Sequence, residues 1–228
     1  MTIIEEFAKT GIMLDERQSE QFQKLFEFMI EYNKNVNLTA ITAFEDVLIK
    51  HFIDSVLPFS HIGISGNETF IDVGTGAGFP ALPLLIAYPG LKGTLCDSLA
   101  KRCTYLELAC ENIGVKAEII HARSEELGRV RRERYDLATA RAVAAMPVLC
   151  EFCMPFVRVG GEFVALKSVN EDISRAESAV KTLGGKLVKI EDYKLPNGDD
   201  RRVTLVRKIS QTPTKYPRSY ANITKKPL

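Results

Sequence analysis

The sequence lacks several features that would assign it to a class at once. It has no tryptophan and only three histidines, and no apolar run approaches the ~20 residues that a membrane helix needs. The N-terminal segment MTIIEEFAKTG carries glutamates where a secretory signal would carry lysines. Hydrophobic residues make up 46% of the 228 positions and charged residues 26%, an ordinary globular composition. We therefore expect a cytoplasmic protein with no membrane partner.

The five cysteines do not form a metal-binding pattern. Cys150 and Cys153 make a single CxxC, but no second pair and no histidine lie nearby in the sequence. A structural zinc site needs four ligands, and thiols in a cytosolic protein are expected to be reduced. We predict that the cysteines are buried, inert thiols and that the protein holds no metal.

Charge is distributed unevenly along the chain although the net charge is only +1. Residues 1–50 hold nine acidic and five basic side chains, whereas residues 201–228 hold eight basic side chains and no acidic one. Such an asymmetry indicates a polyanionic partner on one side of the molecule. A solvated basic tail explains the same count equally well.

The first third of the chain has the periodicity of helices. Apolar residues recur at i, i+3, i+4 and i+7 from Phe22 to Met29, and Asp15 stands where an N-cap belongs. Thr42 followed by Glu45 has the spacing of a capping box and predicts a second helix that ends near Gly63. We assign residues 1–68 to an N-terminal helical extension.

From Thr69 onward, short β-rich runs alternate with helical runs, and the last two runs flank the turn-forming segment PNGDD. Alternation of this kind predicts a parallel sheet covered on both faces, and the closing hairpin predicts an antiparallel last strand. The fold class is therefore α/β, with a core over residues 69–210. Residues 211–228 form a basic C-terminal tail that contains no apolar periodicity.

The stretch FIDVGTGAGFP at residues 70–80 places a glycine-rich loop after the first strand of this core. Its glycines, Gly74, Gly76 and Gly78, follow a G-x-G-x-G spacing, and Phe79 stands where a dinucleotide fingerprint has its third glycine. No Gly-Lys-Ser/Thr follows, which excludes a Walker loop, and no basic residue is available for a triphosphate. The loop favours close approach to a ligand that has no phosphate.

Asp97 at the end of the second strand supplies a further indication. An acidic side chain at that position can accept hydrogen bonds from both hydroxyls of a ribose. A ligand with a ribose and no phosphate suits the pair, and S-adenosylmethionine is the common ligand of that description. The alternative is a tight glycine turn next to a solvent-facing aspartate.

Eight stretches in order extend the pattern over nearly the whole chain: NLTAI (37–41), HFIDSVLP (51–58), FIDVGTGAGFPALPL (70–84), LCDSLAKR (95–102), ARSEE (122–126), ARA (140–142), LKS (166–168) and TPTKYPR (212–218). In these stretches the sequence resembles the RsmG family, also called GidB, of bacterial methyltransferases that modify N7 of a guanine in 16S ribosomal RNA. The resemblance implies a Rossmann-like S-adenosylmethionine-dependent methyltransferase fold with a seven-stranded sheet. It weakens after residue 218, where the family has a basic Gly/Pro-containing run and this chain reads SYANITKKPL.

The resemblance also implies a set of cofactor-binding residues: Gly74, Phe79, Ser124, Glu125 and Arg141, with Asp97 beside them. We add the loop residues Thr75, Gly76, Gly78 and Ser98. Arg141 is in addition the candidate catalytic residue, because the end of the fourth strand faces the ligand crevice of an open α/β sheet. A structural salt bridge would explain this arginine equally well, and a helix N-terminal acid would explain Glu125.

Guanine N7 already carries a free lone pair, so its methylation needs alignment and exclusion of water but no general base. The chain has neither the N/D-P-P-Y/F motif of many amino-group methyltransferases nor a Pro-Cys nucleophile. The expected partner is 16S ribosomal RNA or the small ribosomal subunit. A small-molecule methyltransferase and a non-catalytic nucleic-acid-binding protein are the alternatives. Basic residues that we expect to recruit RNA are Lys101, Arg102, Arg129, Arg131, Arg132, Arg134, Lys167, Lys215, Arg218, Lys225 and Lys226.

Overall fold

The computed structural model describes residues 2–228, and its N-terminal part is helical as predicted. Helix α1 spans Ile3–Ala8, α2 spans Glu16–Asn33 and α3 spans Phe44–Val47. A π-helical segment, Leu48–Ile53, joins α3 to α4 at Asp54–Ile62. Asp15 caps α2 by accepting from the Gln18 amide, which confirms the predicted cap.

The second helical unit starts differently from the prediction. Its N-cap is Ala43, whose side chain makes no capping hydrogen bond, so the predicted capping box of Thr42 and Glu45 is wrong. Gly63 ends α4 in the left-handed conformation with φ +71°, as a C-terminal glycine is expected to do. The π-helical segment carries Lys50 and His51, and π-turns of this kind are frequent at functional sites.

Seven strands form one sheet in the order β3-β2-β1-β4-β5-β7-β6. Their bounds are Thr69–Val73, Lys92–Asp97, Ala117–His121, Tyr135–Arg141, Val157–Lys167, Gly185–Lys194 and Asp200–Lys208 for β1 to β7. Strands β1 to β5 pair in parallel, whereas β7 pairs antiparallel with both β5 and β6. The predicted sheet, mostly parallel with an antiparallel last strand, is confirmed.

Six further helices connect the strands or follow them: α5 Ala81–Ala87, α6 Ala100–Ile113, α7 Ser124–Val130, α8 Met146–Cys153, α9 Glu177–Thr182 and α10 Tyr220–Lys225. Short 3-10 turns at Met154–Phe156 and Ile173–Ala176 adjoin α8 and α9. Because successive side chains of a strand point to opposite faces, β1 contributes to two apolar clusters. Phe70 packs in the cluster that contains Phe22 of α2, and Ile71 packs in the cluster that contains Phe156.

The C-terminal tail contributes to the core, which corrects the expectation from its composition. Tyr216 and Ile223 are buried in the second cluster, with 7% and 0% exposure. All five cysteines are buried and free, as predicted. Burial raises the pKa of the Cys96 and Cys150 thiols to about 12, so they stay protonated and unreactive.

Over residues 2–228, no helix has the length and apolar character needed to cross a membrane. The same part of the chain holds no cluster of three or more His, Cys, Asp or Glu side chains that could bind a metal ion. The helices of residues 1–68 share an apolar cluster with the sheet. The division of the chain at residues 68 and 210 stays a prediction.

Candidate active site

Two adjoining pockets lie beyond the carboxyl ends of the central strands. The first pocket has a volume of about 310 Å³, and its lining includes Gly74, Asp97, Ser98, Ser124, Glu125 and Tyr220. The second has a volume of about 680 Å³, and its lining includes Lys50, His51, Asp54, Arg141, Lys167 and Arg201. Ala142 and Val143 line both pockets and separate them. Both volumes fall in the range of small-molecule sites, about 300–1,000 Å³.

The three glycines of the loop have positive φ angles of 69°, 60° and 87°, which side chains rarely adopt. A Cβ atom at Gly74 would come within 2.9 Å of Val143, at the wall between the pockets. A Cβ at Gly76 would meet nothing closer than 3.9 Å, so the space above this residue is open. A Cβ at Gly78 would lie 2.4 Å from Leu82, so that glycine is required for packing. Within the glycine loop, Gly76 thus borders open space that a ligand can occupy, whereas Gly78 is required for packing.

Asp97 is only 3% exposed, which excludes the alternative of a solvent-facing aspartate. One carboxylate oxygen accepts from the Gly76 amide at 2.9 Å, and the other accepts from the Leu99 amide at 3.0 Å. The Arg102 guanidinium approaches the first of these oxygens at 3.5 Å. Asp97 therefore fixes the glycine loop to the end of β2 while it lines the first pocket.

Asp72 and Thr75 lie buried below the glycine loop. Neither oxygen of the Asp72 carboxylate has a hydrogen-bond partner of normal geometry in the described chain, and the same holds for the Thr75 hydroxyl. Burial raises the pKa of Asp72 to about 7, and the nearby Thr75 hydroxyl and the charge of Arg141 only partly oppose this. The loop therefore rests on a carboxyl group that is half protonated near neutral pH.

We expect the free energy of unfolding of the parent protein to fall as the pH rises, and we predict that Asp72→Asn removes this fall. The folded-state pKa of about 7 lies above the usual 3.8, so the folded protein binds more protons than the unfolded chain between these values and loses stability as the pH rises through them. Urea unfolding from pH 4 to pH 8 measures this slope. The control Glu107→Gln, at an exposed carboxylate on α6, should keep the slope of the parent. A parental slope in Asp72→Asn would contradict the prediction.

Ser124, Glu125, Phe152 and Tyr220 line the first pocket together with Gly74 of the glycine loop. Ser124 and Glu125 begin α7, and Glu125 is 5% exposed. Tyr220 comes from α10 at the far end of the chain, and sequence reasoning did not find it. The available signal was the departure SYANITKKPL, where the resemblance weakens and a tyrosine appears.

Arg141 lies in the second pocket and not among the residues that line the first. Its guanidinium donates to the Asp54 carboxylate at 3.2 Å and to the Lys50 carbonyl at 3.2 Å, and it lies 5.0 Å from the centre of the Phe79 ring. Phe79 is likewise absent from the lining of the first pocket; its buried ring packs against both Arg141 and His51. Both residues therefore shape the wall next to the predicted cofactor set.

The salt-bridge alternative for Arg141 matches the geometry, since Asp54 is buried and pairs with both Arg141 and Arg201. Burial raises the pKa of Asp54, while the two arginines act in the opposite direction. Lys50, Asp54, Tyr193 and Arg201 were not predicted as site residues. The stretch HFIDSVLP (51–58) was the signal for Asp54, and Lys50 directly precedes it. Nothing in the sequence indicates that β6 and β7 bring Tyr193 and Arg201 to the same pocket.

His51 is neutral at physiological pH. Burial and the neighbouring charge of Arg141 lower its pKa to about 4. Nδ1 lies 3.1 Å from the Lys50 carbonyl and 3.3 Å from the Arg141 guanidinium, and Nε2 lies 2.8 Å from the Thr39 hydroxyl. The imidazole also stacks on Phe79, with ring centres 4.6 Å apart. His51 is thus held as a packing and positioning group.

Ala142 occupies a strained backbone conformation between the two pockets. Its φ angle is +54°, a value that residues other than glycine rarely adopt. Strain of this kind persists only where the surrounding structure enforces it, and it concentrates at functional sites. The position of Ala142 on both linings makes the wall between the pockets the point where two ligands would meet.

Several of the predicted RNA-binding residues form hydrogen bonds or ion pairs within the protein. Arg132 donates to the carbonyls of Thr212 and Tyr216, Arg131 pairs with Glu118, and Lys167 pairs with Glu171. Arg218 pairs with the fully buried Glu151. The exposed basic residues among the candidates are Lys101, Arg129, Arg134, Lys215, Lys225 and Lys226.

A comparison with known protein families decides the affiliation of the chain. The model of the family GidB, described as rRNA small subunit methyltransferase G, matches residues 18–203. The chain belongs to the GidB family. Membership makes it an rRNA methyltransferase with S-adenosylmethionine as its cofactor, and it confirms the resemblance found in the sequence.

Curated relatives match over nearly the full length. Ribosomal RNA small subunit methyltransferase G of Lactobacillus acidophilus is 45% identical, covering 98% of this chain and 96% of the relative. The proteins of the same name from Leuconostoc citreum and Streptococcus pyogenes are 45% and 42% identical, each covering 96% of this chain and 94% and 95% of the relative. The GidB match thus extends beyond residues 18–203 into both termini.

Solved structures show the same fold at low sequence identity. Precorrin-6y C5,15-methyltransferase from Geobacter metallireducens has a TM-score of 0.53 and 9% identity, covering 68% of this chain and 87% of that chain. The YcgJ protein from Bacillus subtilis has a TM-score of 0.55 and 10% identity, covering 70% of this chain and 100% of that chain. The predicted Rossmann-like methyltransferase fold is confirmed.

Proposed function

We propose that the protein transfers a methyl group from S-adenosylmethionine, held in the first pocket, to N7 of a specific guanine of 16S ribosomal RNA, held in the second. The observation that carries this proposal is the pair of pockets that share the wall of Ala142 and Val143. Two ligands in pockets that share lining residues lie next to each other, which is the arrangement that a direct group transfer needs.

The first pocket suits the cofactor by the chemistry of its lining. The buried Asp97 carboxylate is an acceptor for ribose hydroxyls, and Ser124 and Glu125 present polar atoms to the amino edge of an adenine. The open space above Gly76 leaves room for the methionine portion along the glycine loop. When bound, S-adenosylmethionine supplies a methyl group on a positively charged sulfur. Five of the predicted cofactor residues do not line the first pocket and would support the site from outside the lining: Thr75, Gly76, Gly78, Phe79 and Arg141.

The second pocket suits a guanine by its mixture of donors and acceptors. Arg141, Lys167 and Arg201 are donors for the O6 acceptor of guanine, and Asp54 and Glu171 are carboxylates suited to its N–H groups. Guanine N7 carries its lone pair without losing a proton, so the pocket has to orient the base and exclude water. Arg141, fixed by Asp54 and Phe79, is the candidate positioning group for this step.

We expect the RNA backbone to be contacted around the mouths of the two pockets. Lys101, Arg102 and Arg123 lie at or near the rim of the first pocket, and Lys50 and Arg201 line the second. Phosphate contacts from such residues would set the register of the RNA without reading its sequence. The partner we propose is 16S ribosomal RNA or the small ribosomal subunit, and the proposed location is the cytoplasm.

Transfer of tritium from labelled S-adenosylmethionine to ribosomal RNA tests the proposal. Small subunits from cells that lack this protein should accept label at one site, and Arg141→Ala should reduce the rate by about 100-fold or more. Glu107→Gln, at an exposed carboxylate of α6 that lines neither pocket, is the control and should act like the parent. Binding of S-adenosylmethionine without any transfer to ribosomal RNA would favour a small-molecule methyltransferase.

The absence of a general base predicts a particular pH dependence. With a pKa of about 4, His51 is neutral throughout the range from pH 5.5 to 8.5. Its titration therefore cannot make the single-turnover rate change with pH in this range. His51→Gln should reduce this rate by less than about tenfold and by the same factor at each pH. The control is His61→Gln at an exposed residue. A rate limb near pH 6.5 that disappears in His51→Gln would show that the histidine acts as a base.

A further inference from the structure

Tyr220 of α10 is a large aromatic side chain that remains half-exposed on the wall of the first pocket. Its exposure is 48%, although the helix that carries it is docked on the protein. The ring is parallel to that of Phe152, with an angle of 7° and a distance of 6.0 Å between the ring centres. The guanidinium of Arg123 lies 4.9 Å from the centre of the Tyr220 ring. The three planar groups form one continuous aromatic and cationic surface.

The position of this surface in the pocket indicates what it contacts. Arg123, which contacts the Tyr220 ring, directly precedes Ser124 and Glu125 in the sequence, and all four residues line the first pocket. Planar bases bind on aromatic side chains because every base has a π face, and arginine strengthens such contacts. An adenine whose edge meets Ser124 and Glu125 would therefore present its face to this surface.

Tyr220 is held in place by contacts on both sides of it in the sequence. Arg218 forms hydrogen bonds to both oxygens of the buried Glu151 carboxylate, and Ile223 is fully buried in the second apolar cluster. Arg129 and Arg132 donate to carbonyls of the segment just before it. The tyrosine is thus presented to the pocket by a docked segment and not by a free tail.

We propose that Tyr220, together with Phe152, stacks on the adenine of the cofactor, so that the C-terminal segment 212–228 is part of the cofactor site. This inference rests on the proposed function, because it takes the first pocket to hold S-adenosylmethionine. By linkage, docking of the segment strengthens cofactor binding, and bound cofactor stabilises the docked segment by the same factor.

A fluorescence titration tests the position of the adenine directly. The chain has no tryptophan, so Tyr220→Trp introduces a single reporter on the pocket wall. S-Adenosylhomocysteine and adenosine should each quench its emission with a saturable dependence, and methionine should not. Lys225→Trp, on an exposed position of the same helix, should change little with any of the three. Unchanged emission of Tyr220→Trp at concentrations where calorimetry shows binding would overturn the inference.

Calorimetry with S-adenosylhomocysteine gives the second test. Tyr220→Ala should raise the Kd about 10-fold, the scale of base–aromatic stacking, while Tyr220→Phe should stay within about twofold because stacking needs the ring and not the hydroxyl. Asn222→Ala, at an exposed position of α10, should bind like the parent. Equal affinity of Tyr220→Ala and parent, with parental methylation of ribosomal RNA, would overturn this inference alone. A parent that binds no S-adenosylhomocysteine would overturn the proposed function as well.

Discussion

Arg218→Ala is expected to lower the free energy of unfolding by about 3–5 kcal/mol, the cost of leaving a buried charge without its partner. Glu151 is fully buried, and all of its described hydrogen bonds come from Arg218: the backbone amide at 2.7 Å, Nε at 2.9 and 3.1 Å, and Nη2 at 2.6 Å. Alanine keeps the amide contact but removes the guanidinium. Urea unfolding at pH 7.5 measures the difference.

Two further variants make this prediction specific. Lys225→Ala changes an exposed basic residue of the same segment and should stay within about 0.5 kcal/mol of the parent. The double variant Arg218→Met with Glu151→Leu removes both charges together and should recover much of the loss, since replacing a buried pair by apolar residues is often neutral. An Arg218→Ala protein as stable as the parent would show that Glu151 finds another partner or a proton.

The Arg218 pair changes the role expected of the basic tail. A variant that removes Lys215, Arg218, Lys225 and Lys226 together would lose RNA binding through loss of docking, whether or not the tail contacts RNA. Lys215, Lys225 and Lys226 are exposed and outside the described ion pairs. Their joint replacement by alanine is the appropriate test of tail–RNA contacts, because each lost phosphate contact flattens the salt dependence by roughly 0.7–0.9 in log–log slope.

Asp97→Ala is expected to raise the Kd for S-adenosylmethionine by about 100-fold or more. The carboxylate is the proposed acceptor for the ribose, and it also anchors the Gly76 and Leu99 amides, so its loss removes both a ligand contact and the support of the loop. Hydrogen bonds to charged groups contribute about 1.5–3 kcal/mol each. Isothermal titration calorimetry with S-adenosylmethionine measures the effect.

Asp97→Asn separates the two contributions. Its amide keeps one acceptor oxygen for a loop amide but offers no charge to the ribose, and we expect an affinity between those of the parent and Asp97→Ala. Glu107→Gln, an exposed carboxylate on the helix that follows β2, should bind like the parent. Parental affinity in Asp97→Ala would remove this residue from the cofactor site.

The sheet could be predicted because its signals are local. Each strand is a short β-rich run, each crossover has helical periodicity, and the PNGDD turn identifies the antiparallel hairpin, so neighbouring residues carry the information. Asp15 was predicted as a cap from its place just before the helical periodicity, and in the structure Gln18 completes a capping box with it. Thr42 has the same local spacing, but the helix begins at Phe44 and the threonine stays outside it.

The partners of the basic residues could not be predicted, because a charge count along the chain does not see contacts between distant segments. Five of the eight basic residues in 201–228 pair with acids elsewhere in the protein or across the sheet: Arg201, Arg202, Arg207, Lys208 and Arg218. Lys208 is fully buried and donates to the Met154 carbonyl at 2.8 Å. Four of these five residues belong to β7, and in the tail 211–228 the described ion pair is that of Arg218.

The residues of the candidate site also divide into those that local sequence signals predict and those that distant segments bring together. Asp97 and the glycine loop were predicted because strand ends meet at one edge of a parallel sheet. Arg141 was placed at the correct strand end, but the sequence does not show that Asp54 draws its side chain into the second pocket. Tyr220 lies 95 residues beyond Glu125 in the sequence and reaches the first pocket only through the docked C-terminal segment.

The central claim is that this protein methylates N7 of a guanine in 16S ribosomal RNA. Mass spectrometry of nucleosides and fragments from 16S ribosomal RNA, isolated from cells with and without the gene, tests it most directly. We predict that one fragment carries 7-methylguanosine only when the protein is present, and that the modification returns with the parent gene but not with the Asp97→Ala variant. An unchanged level of 7-methylguanosine in the two strains, or a lost methyl group on another atom, would contradict the claim.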